Sequence, residues 1–99
     1  MVVFRDGPAG RRARLVGGAD VWQVIRAVRS ARNSEADLDA EAVVQLVADN
    51  TGVGVPLVRA AISYWAAFPD EIDALIDRAD REETAARARW QREHGLLGA

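Results

Sequence analysis

Four carboxylates crowd into one short stretch, PDEIDALID: Asp70, Glu71, Asp73 and Asp77. Carboxylates are what a metal-dependent nuclease uses, but such a centre needs them to converge on a cleft from different elements. These four share one segment behind Pro69, where acids favour the positive end of a helix dipole, so they read as a solvated helix start. The single histidine, His94, has no acid or nucleophile beside it in sequence with which to move a proton. The chain has no cysteine, which removes disulfides, thiolate zinc sites and thiol catalysis. All thirteen basic residues are arginine, which removes Schiff-base chemistry and the lysine of a phosphate-binding loop. Gly17-Gly18 lacks the spaced glycines of a nucleotide site and reads as a turn. The residues therefore predict no enzyme, no metal and no cofactor.

What remains is charge. The net value is -2, unevenly distributed. Residues 1–32 hold seven arginines against two acids (+5), residues 33–83 three against twelve (-9), and residues 84–99 three against one (+2), which returns -2. That asymmetry points to two faces with two different partners. Arg11, Arg12 and Arg14 form a basic arm of the kind that contacts phosphates or a minor groove, although three arginines also fit a solvated turn.

The elements that must position these charges follow from periodicity. Ninety-nine residues suit one domain with a modest core. No apolar run approaches the roughly 20 residues of a membrane span. MVVFRDGPAG lacks the pattern of a secretory leader, so the expected location is the cytoplasm, with no membrane partner. Val2-Val3-Phe4 and Ala13-Arg14-Leu15-Val16, separated by the turn-rich Gly7-Pro8-Ala9-Gly10, predict a short strand or hairpin. Asp20 with Gln23 three residues on predicts a capping box for a helix over 21–32, with Val21, Trp22, Ile25 and Val28 at helical spacing. Asp37 or Asp39 caps a second helix bearing Val43, Leu46 and Val47, which ends near Asn50-Thr51-Gly52. A third helix begins near Pro56 and presents Val58, Ala61, Ile62 and Trp65 until Pro69 stops it. A fourth restarts there with Ile72, Leu75, Ile76 and Ala79 inward. Beyond Asp80 the sequence stays helix-prone through the pairs Asp77 to Arg81 and Glu83 to Arg87, but it offers only Trp90, Leu96 and Leu97 as anchors. A helix this polar gains little from its own core and is expected to extend outward or fold on a partner.

The second and third helices have the spacing of a helix-turn-helix: Ala48 where two helices approach, Gly52 at the turn, Val53 as a buried plug and Val58 packing the second helix back. An ordinary helical hairpin would show similar residues. Direct base reading looks weak, because the second helix offers only Arg59 and Ser63 as polar side chains. Tyr64, Trp65 and Phe68 read as core or dimer packing. The predicted fold is mainly α: a homeodomain-like helix-turn-helix core over 19–79, a basic arm with a short N-terminal β-strand or hairpin over 1–18, and an extended helical tail over 80–99.

Several of these segments together resemble a family of small prokaryotic proteins first catalogued as a domain of unknown function and commonly labelled VapB-type antitoxins. The similarity lies in GRRARLVGG, DVWQVIRAVR, EAVVQLVADNTGVGVPLVRAAISYW and, most specifically, SYWAAFPDEID, over about residues 5–78. Trp65 stands where the pattern has a second tyrosine. The resemblance implies a homodimeric antitoxin that neutralises a PIN-like ribonuclease toxin and binds operator DNA to regulate its own operon. Arg11, Arg12, Arg14, Arg59 and Ser63 would face DNA. By analogy with toxin-wrapping tails, Arg87, Arg89, Trp90, Arg92, Leu96 and Leu97 would face the toxin. The alternative is a stand-alone dimeric helix-turn-helix transcription regulator.

Overall fold

Residues 2–5, 12–15 and 20–98 are described by the computed structural model. The chain is mainly helical: α1 (Val21–Ser34), α2 (Ala40–Thr51), α3 (Val55–Ala67) and α4 (Pro69–Leu97). Ahead of them β1 (Val2–Arg5) and β2 (Arg12–Leu15) pair antiparallel, with Val2 opposite Leu15 and Arg5 opposite Arg12, and the pair lies against α1 and α3. Arg11, the spacer 7–10 and Gly17-Gly18 fall outside the described residues.

Local chemistry explains the helix ends. At α1 the Asp20 backbone N–H donates to the Gln23 side chain at 3.2 Å, satisfying a group that would otherwise face the core, since Asp20 is buried. The helix runs on to Ser34, past the expected 32, because the Glu35 N–H closes one more turn on the Ala31 carbonyl at 2.9 Å. Asp39, not Asp37, caps α2, accepting from the Ala42 N–H at 2.8 Å. Helix α3 starts at Val55, one residue before Pro56, whose missing N–H falls among those that lack an intrahelical partner anyway. Phe68 separates α3 from α4, and Pro69 opens the new helix.

Gly52 ends α2 with φ 72°, the left-handed conformation that a Cβ disfavours. A Cβ built there meets nothing within 4 Å, so the cost of a side chain is purely one of backbone conformation. Gly52→Ala is therefore expected to lower stability by about 1 kcal/mol, read as a shift in urea midpoint with an unchanged denaturant slope. No shift would mean that the turn tolerates a right-handed residue.

The core is one cluster. Val21, Val24, Ile25 and Ala31 of α1 meet Val43, Val44, Val47 and Ala48 of α2, Val58 and Ala61 of α3, and Ile72 and Ile76 of α4. Val53, expected as a buried plug, is only half-buried at its edge. The last core residue is Ile76, yet α4 continues without a break for a total of 29 residues, about 43 Å at 1.5 Å per residue. The helix-prone segment expected beyond Asp80 is thus one continuous helix with the core-packing residues Ile72 and Ile76. The radius of gyration, 15.9 Å, exceeds the roughly 13 Å of a compact chain of this length, as a helix that outruns its core requires.

Candidate functional site

Ile72, Ile76, Ala79, Glu83, Ala86, Trp90 and Leu97 follow one another at steps of four, three or seven, so they share one face of α4. The face that buries Ile72 and Ile76 at 0% and 4% exposure shows Trp90 at 57% and Leu97 at 77%, with Leu96 beside it at 88%. Large apolar groups left in water at one end of an otherwise well-packed helix mark a contact surface. Trp90 is given a fixed pose by His94: the rings stack with centroids 3.8 Å apart, and His94 Nδ1 lies 3.0 Å from the Trp90 carbonyl oxygen. Arg87, Arg89 and Arg92 are all exposed and make no ion pair among the described residues. The six residues assigned to the tail surface from sequence are therefore all exposed on the free half of α4, with Arg87 and Leu97 on the Trp90 side and Arg89, Arg92 and Leu96 spread around the rest of the helix. An open groove of about 370 Å³ runs along Asp80, Arg81, Thr84, Ala85 and Ala88 on another side of the same helix, and its small residues allow close approach.

Where the buried face runs out, α1 reaches across. Arg26 donates to Asp80 at 3.4 Å and to Glu83 at 2.9 Å. Its guanidinium is pushed further above its ordinary value, first by the Glu83 hydrogen bond, with partial burial opposing and the charge of Glu83 and then Asp80 adding to the rise. The same guanidinium lies 5.0 Å from the centre of the Trp22 ring, and the Trp22 indole N–H donates to Asp20 at 3.2 Å. The pairing expected within the tail is altered as a result: Glu83 turns to Arg26 and not to Arg87, while Arg78 pairs with Glu82 at 3.2 Å.

One turn further along α1 the arrangement repeats. Arg29 pairs with Asp73 and lies 5.8 Å from the centre of the Trp65 ring, whose indole N–H donates to the same Asp73 oxygen at 3.0 Å. The Asp73 carboxyl is held below the usual carboxylate range, first by the Trp65 hydrogen bond and then by Arg29. A carboxyl lowered in the folded chain contributes stability that is present above its unfolded value and lost as pH falls through the lowered one. Asp73→Asn is accordingly expected to be less stable than the native chain near neutrality, with the gap closing as pH falls below the ordinary carboxylate range in thermal unfolding curves. A gap independent of pH would assign the effect to shape instead of charge. Beside this pair Ile25, Val28, Arg29, Ile62 and Trp65 line a recess of about 140 Å³, room for a side chain and well short of the several hundred Å³ of ordinary small-molecule sites.

The α2–α3 surface is less well equipped. Arg59, the one cation on α3, is ion-paired with Glu41 of α2, and Ser63 stands exposed one turn later. Glu35, Asp37 and Asp39 lie in the exposed segment just ahead of α2. A polyanion approaching α3 therefore meets carboxylates and a guanidinium already engaged by one. Arg12 and Arg14 belong to β2, whose backbone lies against α1 and α3. Phe68, expected in packing, is 53% exposed, with its ring centroid 5.0 Å from that of Tyr64, whose hydroxyl donates to Glu71 at 2.8 Å.

Sequence reading passed over Arg26 and Arg29, which it placed only on other faces of the first helix. A faint signal existed: arginines three apart on one helix, and Asp73 and Asp80 two turns apart on another. Among the described residues no helix is long and apolar enough to cross a membrane. Compared with protein-family models, with curated proteins and with solved structures, the chain finds no match in any of the three.

Proposed function

We propose that the chain is the antitoxin of a toxin–antitoxin pair, acting as a cytoplasmic homodimer whose free half of α4 occupies the acidic catalytic site of a PIN-like ribonuclease. The observation that carries this reading is the end of α4 that has outrun its core, where three arginines and three large apolar side chains are all exposed. Guanidinium groups match carboxylates in geometry as well as charge, so arginines set among metal-binding acids displace the metal or fill its place. Trp90, Leu96 and Leu97 supply the apolar anchors that such a contact needs at its centre. Inhibition is then occlusion and charge capture, with no bond made or broken.

In the same reading α2, the turn at Gly52 and α3 form a helix-turn-helix, and the arm with Arg11, Arg12 and Arg14 contacts operator DNA. The Arg59–Glu41 pair moves the weight of DNA binding from α3 to the arm, so affinity is expected to come from phosphates more than from base edges. A stand-alone regulator would use the arm in the same way, but it leaves the exposed end of α4 without a task.

Affinity purification of the tagged chain from its own cells, with mass spectrometry of whatever is retained in stoichiometric amount, separates the two. A small ribonuclease whose RNA cleavage is suppressed in the complex supports the antitoxin. Retention of DNA alone, lost at high salt, would favour the regulator.

A further inference from the structure

We propose that Arg26 is the positioning residue for the free half of α4: by holding Asp80 and Glu83 to α1, it fixes the direction in which Trp90 and the tail arginines are presented. The purpose of this device rests on the antitoxin reading, but its existence does not.

The α1–α4 contact is pinned at two levels. At the lower one, Arg29 and Trp65 meet Asp73, beside the buried Ile72 and Ile76. At the upper one, Arg26, braced by Trp22, meets Asp80 and Glu83. A later residue of α1 meets an earlier residue of α4, so the two helices run antiparallel, and the upper pin carries the seam seven residues, two turns, past Ile76, the last buried residue of α4. Glu83 itself occupies the otherwise apolar stripe between Ala79 and Ala86. A carboxylate there faces α1, where Arg26 accepts it as a partner.

Without this pin the junction is poorly held. Residues 77–83 carry Asp77, Asp80, Glu82 and Glu83 against Arg78 and Arg81, and Arg26 is the one cation that another described helix brings to them. Beyond Glu83 only some fourteen helical residues remain, a length at which an isolated helix is marginal in water. Their helicity and direction depend on what anchors residues 80–83. A contact helix held ready in one direction loses less freedom on binding than one that must first be ordered.

The test uses the isolated full chain. Because the chain has no cysteine, Ser30→Cys with Gly95→Cys gives two unique spin-label sites across the junction. The native chain is expected to give a narrow distance distribution, and Arg26→Met, which keeps an apolar stem over Trp22, a broad one. In Arg26→Met the amides of residues 84–97 are expected to exchange about threefold faster, with those of α2 and α3 unchanged. Salt at about 0.5 M should reproduce the effect in the native chain and add little to the variant. Asp80→Ala with Glu83→Ala removes the acceptors and should match Arg26→Met, whereas Arg26→Glu with Asp80→Arg and Glu83→Arg should restore the native behaviour. Identical distances and exchange in native and Arg26→Met chains would overturn the proposal, as would a charge-reversed chain that behaves like Arg26→Met. No ribonuclease is present in these measurements, so their failure is distinct from failure of the antitoxin reading.

Discussion

A chain carrying Arg87→Ala, Arg89→Ala and Arg92→Ala is expected to lose about a hundredfold or more in its hold on the ribonuclease, while folding as before. The size follows from hydrogen bonds to charged partners, each contributing about 1.5–3 kcal/mol when the partner is left unmatched, discounted because the three arginines need not all be fully desolvated. The fold should not notice, because all three are exposed and none is ion-paired with a described residue. Alanine is also the better helix former, so the tail keeps its conformation. Titration of RNA cleavage against native and triple-variant chains measures the difference directly. Equal inhibition by the two chains would remove the arginines from the mechanism and leave Trp90, Leu96 and Leu97 as the only anchors.

The second large effect lies at the other end of the same helix. Ile72 is fully buried where α4 meets the rest of the core. Ile72→Ala should cost about 2–5 kcal/mol, counting both the lost burial and the cavity left behind. For a chain of this size that lowers the thermal midpoint by about 8 °C at the least and by several times that at the upper end. Leu96→Ala, at a site 88% exposed, should stay within about 0.5 kcal/mol of the native chain. The contrast locates the division of labour within α4: one half holds the fold, and the other serves something outside it. Comparable losses for both variants would show that Leu96 is covered within the isolated protein.

The part of this arrangement that could be read from residues alone is the part set by local rules. Val58 and Ala61, Val43 and Val47, Ile72 and Ile76 recur at helical spacing and are buried where that spacing puts them. Gly52, Asp39 and Pro69 punctuate the chain where turn chemistry requires. Val24 and Val44 are buried as well, although the expected stripes left them out, because α1 packs against α2, α3 and α4, and α2 against both α1 and α3, so each apolar arc is wider than one stripe. The exposed end of α4 was legible for the opposite reason. Too few apolar residues follow Asp80 to bury anything.

The pins between α1 and α4 were not legible, because no local rule reaches them. Arg26 and Glu83 are 57 residues apart, and Arg29 and Asp73 are 44 apart. Glu83 followed by Arg87 scores well as a pair on one helix, yet a partner from a neighbouring helix took it, since Glu83 lies on the face that points toward α1. Arg59 shows the same effect with a different consequence. Read along the chain it is a donor on a candidate reading helix; in the fold it is the partner of Glu41.

The central claim is that the free half of α4 is the inhibitor, and one titration tests it most directly. A ribonuclease of the kind proposed, once obtained by copurification, would be freed of the chain and its RNA cleavage followed as either the full chain or a chain ending at Asp80 is added back. Every core residue lies at or before Ile76, so the shorter chain keeps its buried cluster. The account predicts stoichiometric inhibition by the full chain and none by the shorter one. Equal inhibition by both would place the contact on the α1–α3 body and contradict the assignment of Trp90 and the tail arginines.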